Sequence, residues 1–136
     1  MNDKKLWKVF SEYIRLRDSN ERGYCKCFTC GGIRYWRNMD AGHGIPRGHM
    51  ATKFNEMNNH AQCKICNGPR SGDRKNYRKE MEKRYGPEMW TELEIEARTV
   101  CKWSQFDIDL LELAYKEKVK VLKRSKELKP ADQIRA

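Results

Sequence analysis

The chain has 136 residues, of which 38% are hydrophobic and 35% charged, so it fits one domain with a thin core, and a metal would be a welcome staple. Lys and Arg outnumber Asp and Glu by 29 to 19, a net charge of +10, which points to a polyanionic partner, most often nucleic acid. No run of eighteen apolar residues could span a membrane and the N-terminus carries no apolar signal core, so a cytoplasmic location without membrane contact is expected.

Leu6, Phe10, Tyr13 and Ile14 recur at helical spacing with Trp7 beside them, which predicts a helix over 3–18 capped by Asn2 or Asp3. Asn20 to Gly23 is a turn. Ile33 to Trp36 and Met39 to His43 are expected strands, with Arg37-Asn38 as a hairpin turn between them. Gly44, Pro46 and Gly48 make 44–56 irregular, and 57–62 lead into the second cysteine pair. Tyr77, Met81 and Tyr85 place a helix over 73–85, started at Ser71-Gly72-Asp73. Pro87 opens a short helix to about 98. Ser104 and Asp107 form a capping signal for a long last helix over about 105–128, with Ile108, Leu111, Tyr115 and Leu122 as its apolar stripe. The tail after Lys129 is polar and expected to fray. Together these elements read as a single α+β domain over 1–136, with a core at about 24–85 and a C-terminal helical part at about 87–128.

Cys27-x-x-Cys30 and Cys63-x-x-Cys66 carry the firmest chemistry. Two residues between thiolates let one tight turn aim both sulfurs at one ion, and two such turns complete a tetrahedron suited to zinc. Six cysteines in a reducing compartment favour metal binding over disulfides. A four-sulfur site has no open position, so its Zn²⁺ is expected to be structural. Cys25 is a possible competing ligand, and Cys101 a packing residue.

Between and around these pairs lie Asp40-Ala-Gly-His43, Asn58-Asn-His60 and Asn67. Oxygen ligands for a hard divalent ion beside a candidate imidazole base suit phosphodiester hydrolysis. The basic excess surrounds them: residues 31–84 hold twelve Lys/Arg against five Asp/Glu, a net of +7, while the last 33 residues hold eight against six, a net of only +2.

The order C-x-x-C, D-x-x-H-x-x-P, N-x-x-x-x-C-x-x-C-N resembles HNH-type nucleases of the ββα-metal fold, in their zinc-framed branch. More narrowly, Asp40-Ala-Gly-His43, Phe54-Asn-Glu, Asn58, His60, Gln62-Cys63, Cys66-Asn67, Ser71-Gly72, Tyr77-Arg78, Arg84-Tyr85-Gly86 and Trp103-Ser104 resemble the NinG/Rap recombination nucleases of lambdoid phages, over roughly residues 5 to 128. That resemblance implies a small zinc-stabilised ββα-metal core with flanking helices. It also implies hydrolysis of branched DNA such as Holliday junctions and D-loops leaving a 5′-phosphate, a catalytic Mg²⁺ or Mn²⁺, and the host cytoplasm if the protein is phage-encoded. His43 fits the general base. Asn67, expected to open the helix after the knuckle, fits a metal ligand. Asp40 fits the carboxylate ligand or a residue orienting His43, because Gly42 stands where many HNH members place the Asp. Asn58 fits the Asn that supports the loop or the base. His60 could be a metal ligand or a phosphate contact, and His49 a DNA contact or a bystander.

Arg34, Arg37, Arg47, Lys53, Arg70, Arg74, Lys75 and Arg78 are candidates to track DNA phosphates, which gives affinity and register but little sequence information. The last helix could cover the domain's own core or join two copies in a homodimer, whose two-fold geometry suits paired nicks. Two other functions fit the same residues: an HNH enzyme nicking linear duplex DNA, and a non-catalytic zinc module that binds nucleic acid.

Overall fold

The computed structural model describes residues 2–133. Helix α1 spans Lys4–Arg17 and buries Leu6, Val9, Phe10 and Ile14 on one face, as the spacing predicts. Asn2 Oδ1 accepts from the backbone N–H of Lys4, whereas the Asp3 carboxylate is drawn off to Lys53 Nζ at 2.7 Å.

Strands β1 (Tyr24–Lys26) and β2 (Ile33–Tyr35) pair antiparallel, with Tyr24 opposite Tyr35 and Lys26 opposite Ile33. The hairpin expected between the 33–36 and 39–43 strands does not form. The first cysteine pair is itself the hairpin turn: Cys27 N–H donates to Gly32 O, Gly31 N–H donates to Cys27 O, and Gly31 takes the left-handed φ of 78° that such a reversal needs. Trp36–Asn38 winds into a 3₁₀ turn pivoting on the fully buried Trp36, which passes the chain to a second sheet.

That sheet pairs β3 (Met39–His43) with β4 (Asn59–Cys63), from Met39 opposite Cys63 to His43 opposite Asn59. The connecting loop contains a short helix α2 (Met50–Lys53) and a 3₁₀ turn at Glu56–Asn58, where only irregular chain is expected. Two helices follow β4, the single turn α3 (Lys64–Asn67) and α4 (Arg74–Tyr85). Asn67 therefore ends α3 and does not open the helix after the knuckle. Helix α5 (Pro87–Ala97) packs on α4.

Helix α6 (Gln105–Ser125) opens on the predicted capping box: Ser104 Oγ accepts from Asp107 N–H, and the Asp107 carboxylate accepts from Ser104 N–H. It packs along α1, with Tyr115 edge-on to Phe10 at 5.0 Å. Over residues 130–133 the chain is docked and does not fray. Pro130–Asp132 forms a 3₁₀ turn whose buried Asp132 accepts from the Tyr35 hydroxyl at 2.6 Å and pairs with Arg37.

The β3–β4 pair is thus held from two sides. Alternation turns Met39, Ala41 and Ala61 into the main core with α1 and α6, and His60 toward a smaller core of Phe28, Tyr77, Met81, Trp90 and Leu93. Among the described residues no helix is long and apolar enough to cross a membrane.

Candidate functional site

The sulfurs of Cys27, Cys30, Cys63 and Cys66 all lie within 4.8 Å of one another, and those of Cys30 and Cys63 are 3.8 Å apart. A tetrahedral zinc with sulfur at about 2.3 Å has sulfur–sulfur edges of about 3.8 Å, so the cluster could hold a metal such as zinc with little movement. Polar hydrogens already face the sulfurs: Cys63 N–H points at Cys27 Sγ (3.2 Å), Gly32 N–H at Cys30 Sγ, Cys66 N–H at Cys63 Sγ, and Arg70 Nη1 at Cys66 Sγ. Four thiols this close cannot all ionise without a cation. Burial opposes ionisation of Cys27, yet hydrogen bonds from the Cys30 and Cys63 backbone and from Thr29 outweigh it and bring the thiol down to about 6, whereas burial pushes Cys66 up to about 12. Cys25 is not a competing ligand. It sits on the buried face of β1 and its thiol donates to Arg15 O, with burial raising it to about 12.

Beside this knuckle lies a cleft of about 220 Å³ lined by Ala41, His43, Arg47, Asn67, Ser71, Gly72 and Arg74. His43 stacks on Trp7 of α1 with ring centres 4.8 Å apart, and the Arg47 guanidinium lies 4.8 Å from the centre of the same indole. Burial first, and then the charges of Arg47, Lys53 and Arg74, lower the His43 pKa to about 3. Its imidazole is therefore neutral at physiological pH, and Nε2 is enclosed without a hydrogen-bond partner.

Asp40 and His43 are three residues apart on β3, so alternation sends them to opposite faces; Asn67 lines the cleft with His43 and reaches Asp40. Its Nδ2 donates to Asp40 Oδ2 at 3.0 Å while Lys64 Nζ binds Oδ1 at 2.8 Å. A carboxylate only accepts, so the Asn67 amide nitrogen must face Asp40, and its carbonyl oxygen is the end left for the cleft. Burial opposes ionisation of Asp40, but these two hydrogen bonds outweigh it and hold the carboxyl below the usual range.

The family described as "Bacteriophage Lambda NinG protein" matches residues 2–127. The chain belongs to the NinG family. It is 30% identical over 124 residues to protein ninG of Escherichia phage lambda, covering 90% of this chain and 58% of the relative. It is 29% identical to protein ninG of Escherichia phage 933W and 27% identical to that of Salmonella phage P22, over 90% of this chain and 59% and 58% of those relatives. The chain thus spans less than two thirds of the length of these relatives. No solved structure matches it significantly.

In this NinG-family chain several expected site residues serve the frame. His60 is not open to a metal or a phosphate: Nδ1 meets the Tyr77 hydroxyl at 3.1 Å, Nε2 meets the Tyr85 hydroxyl at 2.8 Å, and Phe28 stacks on the ring at 4.0 Å. Asn58 is fully buried and clamps the 44–58 loop, accepting from Ile45 N–H at 2.7 Å and donating to Ile45 O and Thr52 O. Among the basic candidates, Arg47 and Arg74 line the cleft. Lys75, Arg78 and Lys79 continue from Arg74 along a neighbouring groove of about 580 Å³. Arg37, Lys53 and Arg70 are engaged elsewhere, by Asp132, Asp3 and the Cys66 sulfur. Arg34 is exposed, and His49 borders a small pocket with Glu94 and Arg98.

Three features of the site escape the sequence reading. Trp7 reads as one more apolar residue of α1, although it backs His43. Ser71, Gly72 and Asp73 take three successive left-handed conformations (φ 52°, 88° and 47°), a costly turn held by Gly72 N–H to Cys66 O and Gln62 Nε2 to Gly72 O. Gly42 is small because of Gln62: a Cβ there would lie 2.1 Å from Gln62 Oε1, and Gln62 cannot swing away because its Nε2 bonds Thr29 and Gly72. Position 42 therefore cannot carry the Asp that many HNH members place before the histidine. Gly42→Ala is expected to lower stability by about 1–3 kcal/mol in urea denaturation, as overpacking does. An unchanged midpoint would show that Gln62 moves freely.

Proposed function

We propose that this protein is a metal-dependent DNA endonuclease that hydrolyses phosphodiester bonds in branched recombination intermediates such as Holliday junctions and D-loops. The observation that carries the reading is a neutral imidazole in a cationic cleft whose wall holds the Asn67 amide, itself hydrogen-bonded to the Asp40 carboxylate. The strand–loop–strand–helix order of β3, β4, α3 and α4 around the cysteine cluster agrees with an HNH-like ββα arrangement.

In this reading His43 takes a proton from the attacking water, and Arg47 and Arg74 hold the scissile phosphate against it. The phosphate offsets the cations that depress His43 and so raises its basicity on binding. Asp40 and Asn67 would hold Mg²⁺ or Mn²⁺, which when bound would stabilise the leaving oxyanion. One carboxylate and one amide suit such an ion, because Mg²⁺ commonly takes one or two carboxylates and fills its other positions with water and substrate phosphate. Zinc on the four cysteines would tie the β1–β2 turn to the end of β4 and to α3, and would take no part in the reaction. The row of Arg74, Lys75, Arg78 and Lys79 leads DNA away from the cleft through phosphate contacts, which favour recognition by shape over sequence.

The test is a panel of four-way junction, flap and linear duplex DNA, each incubated with magnesium or with chelator. The expected result is magnesium-dependent cutting of junction and flap well ahead of duplex. Equal cutting of linear duplex would move the protein to the duplex-nicking class. Binding to all three without cutting would make it a nucleic-acid-binding module.

A further inference from the structure

Helix α6 is apolar on two opposite faces. Ile108, Tyr115 and Val119 are buried facing inward, with Leu111 and Leu122 packed against the same core. On the other side Phe106, Leu110, Leu113 and Val121 are 69%, 50%, 62% and 55% exposed. Spacings of four, three and eight residues keep these four on one stripe of the helix, and Glu117 is the polar position within it. A helix covering only its own domain needs one apolar stripe and a polar back.

The charges of α6 are segregated along its length. Residues 105–114 hold Asp107, Asp109 and Glu112 and no base, whereas residues 116–125 hold Lys116, Lys118, Lys120, Lys123 and Arg124 against the single acid Glu117. This order suits the dipole of the helix itself. It also makes the outer face self-complementary in one direction only. Two copies laid antiparallel about a two-fold axis bring the acidic half of each against the basic half of the other, whereas a parallel pair sets cations on cations. An isologous contact along most of this 21-residue helix, about 31 Å at the standard rise, would cover all four exposed apolar residues.

We infer that the protein forms an antiparallel two-fold dimer through the outer face of α6, with Phe106, Leu110, Leu113 and Val121 at its centre and Asp107 and Asp109 facing the basic half of the second copy. The inference is independent of whether the cleft cuts DNA, and its test needs no DNA.

Sedimentation velocity of the zinc-loaded chain, from low to high micromolar concentration, is expected to show a species of twice 16.2 kDa. Leu113→Glu is expected to weaken association by roughly an order of magnitude or more, with the circular dichroism spectrum and melting temperature of the monomer kept. A monomer throughout the range would overturn the proposal, as would a dimer that Leu113→Glu leaves intact. Direction is read separately by mild oxidation against the parent chain as background. Leu113→Cys, near the axis, is expected to cross-link to itself, and Phe106→Cys, near the end, is not. Efficient cross-linking of Phe106→Cys would show a parallel pair and contradict the antiparallel arrangement.

Discussion

His43→Ala is expected to slow cleavage of a four-way junction by about 10²- to 10⁴-fold, the range for loss of a positioned general base. The variant is expected to keep its zinc and its fold. His43 lines the cleft and its Nε2 has no hydrogen-bond partner to lose, so the structural cost is the stack on Trp7, of about 0.5–1.5 kcal/mol. The pH profile separates this role from a merely steric one. Burial and the cations Arg47, Lys53 and Arg74 lower His43 from an ordinary 6.5 to about 3 in the free protein. A base with a lowered pKa stays unprotonated as pH falls through 6.5 and is lost only near 3. The acid limb of kcat/KM, which reports the free enzyme, should therefore show no histidine step near 6.5. A rate that drops tenfold per pH unit below 6.5, or a His43→Ala variant that cuts at the parent rate, would remove His43 as the base.

Cys63→Ser is expected to unfold the protein. Cys63 ends β4, its N–H points at Cys27 Sγ, and its own sulfur sits 3.8 Å from Cys30 Sγ, so it ties both sheets and α3 to one point. Structural zinc sites contribute apparent free energies of about 10–16 kcal/mol near neutral pH. That is as large as the whole stability of a typical domain, about 5–15 kcal/mol. The core here is divided into two clusters, and the knuckle stands between them, with Cys27 in the main cluster and Phe28 in the smaller one. Excess chelator on the parent should give the same collapse, read as loss of near-ultraviolet dichroism and of dispersed amide resonances. A metal-free Cys63→Ser chain that melts at the parent temperature would show that the cysteine cluster is dispensable.

The long helices and the metal cluster are legible in the sequence because each has a local signature. Apolar spacing marks α1 and α4, a capping box marks the start of α6, and paired C-x-x-C marks the knuckle. Strand β4 lacks such a signature. Asn59-His60-Ala61-Gln62 looks like a polar loop, yet every residue is buried, because Asn59 bonds Lys53 O and Asn55 O, His60 two tyrosine hydroxyls, and Gln62 Thr29 and Gly72. Hydrophobic periodicity cannot find a strand whose interior is polar and satisfied by distant partners. The hairpin lies elsewhere than its turn residues suggest for a related reason: Arg37-Asn38 has turn chemistry, but the knuckle already supplies the turn for β2. Of the candidate site, Asp40, His43 and Asn67 stand out by residue type and spacing. The backing of His43 by Trp7 and the tie between Asn67 and Asp40 are tertiary contacts across 36 and 27 residues, with no local trace. His60 is the converse case: a histidine beside a cysteine pair has the look of a ligand, yet both of its nitrogens are occupied by tyrosine hydroxyls.

In the proposed mechanism two ions would divide the labour, a structural one on four sulfurs and a catalytic one beside Asp40 and Asn67. The most direct test is junction cleavage by the zinc-loaded protein with and without added magnesium, with zinc content measured on the same samples. The predicted result is one zinc per chain in both samples and cutting only where magnesium or manganese is present. Full-rate cutting without any added ion would place the chemistry elsewhere, and no cutting under either condition would contradict the nuclease reading altogether.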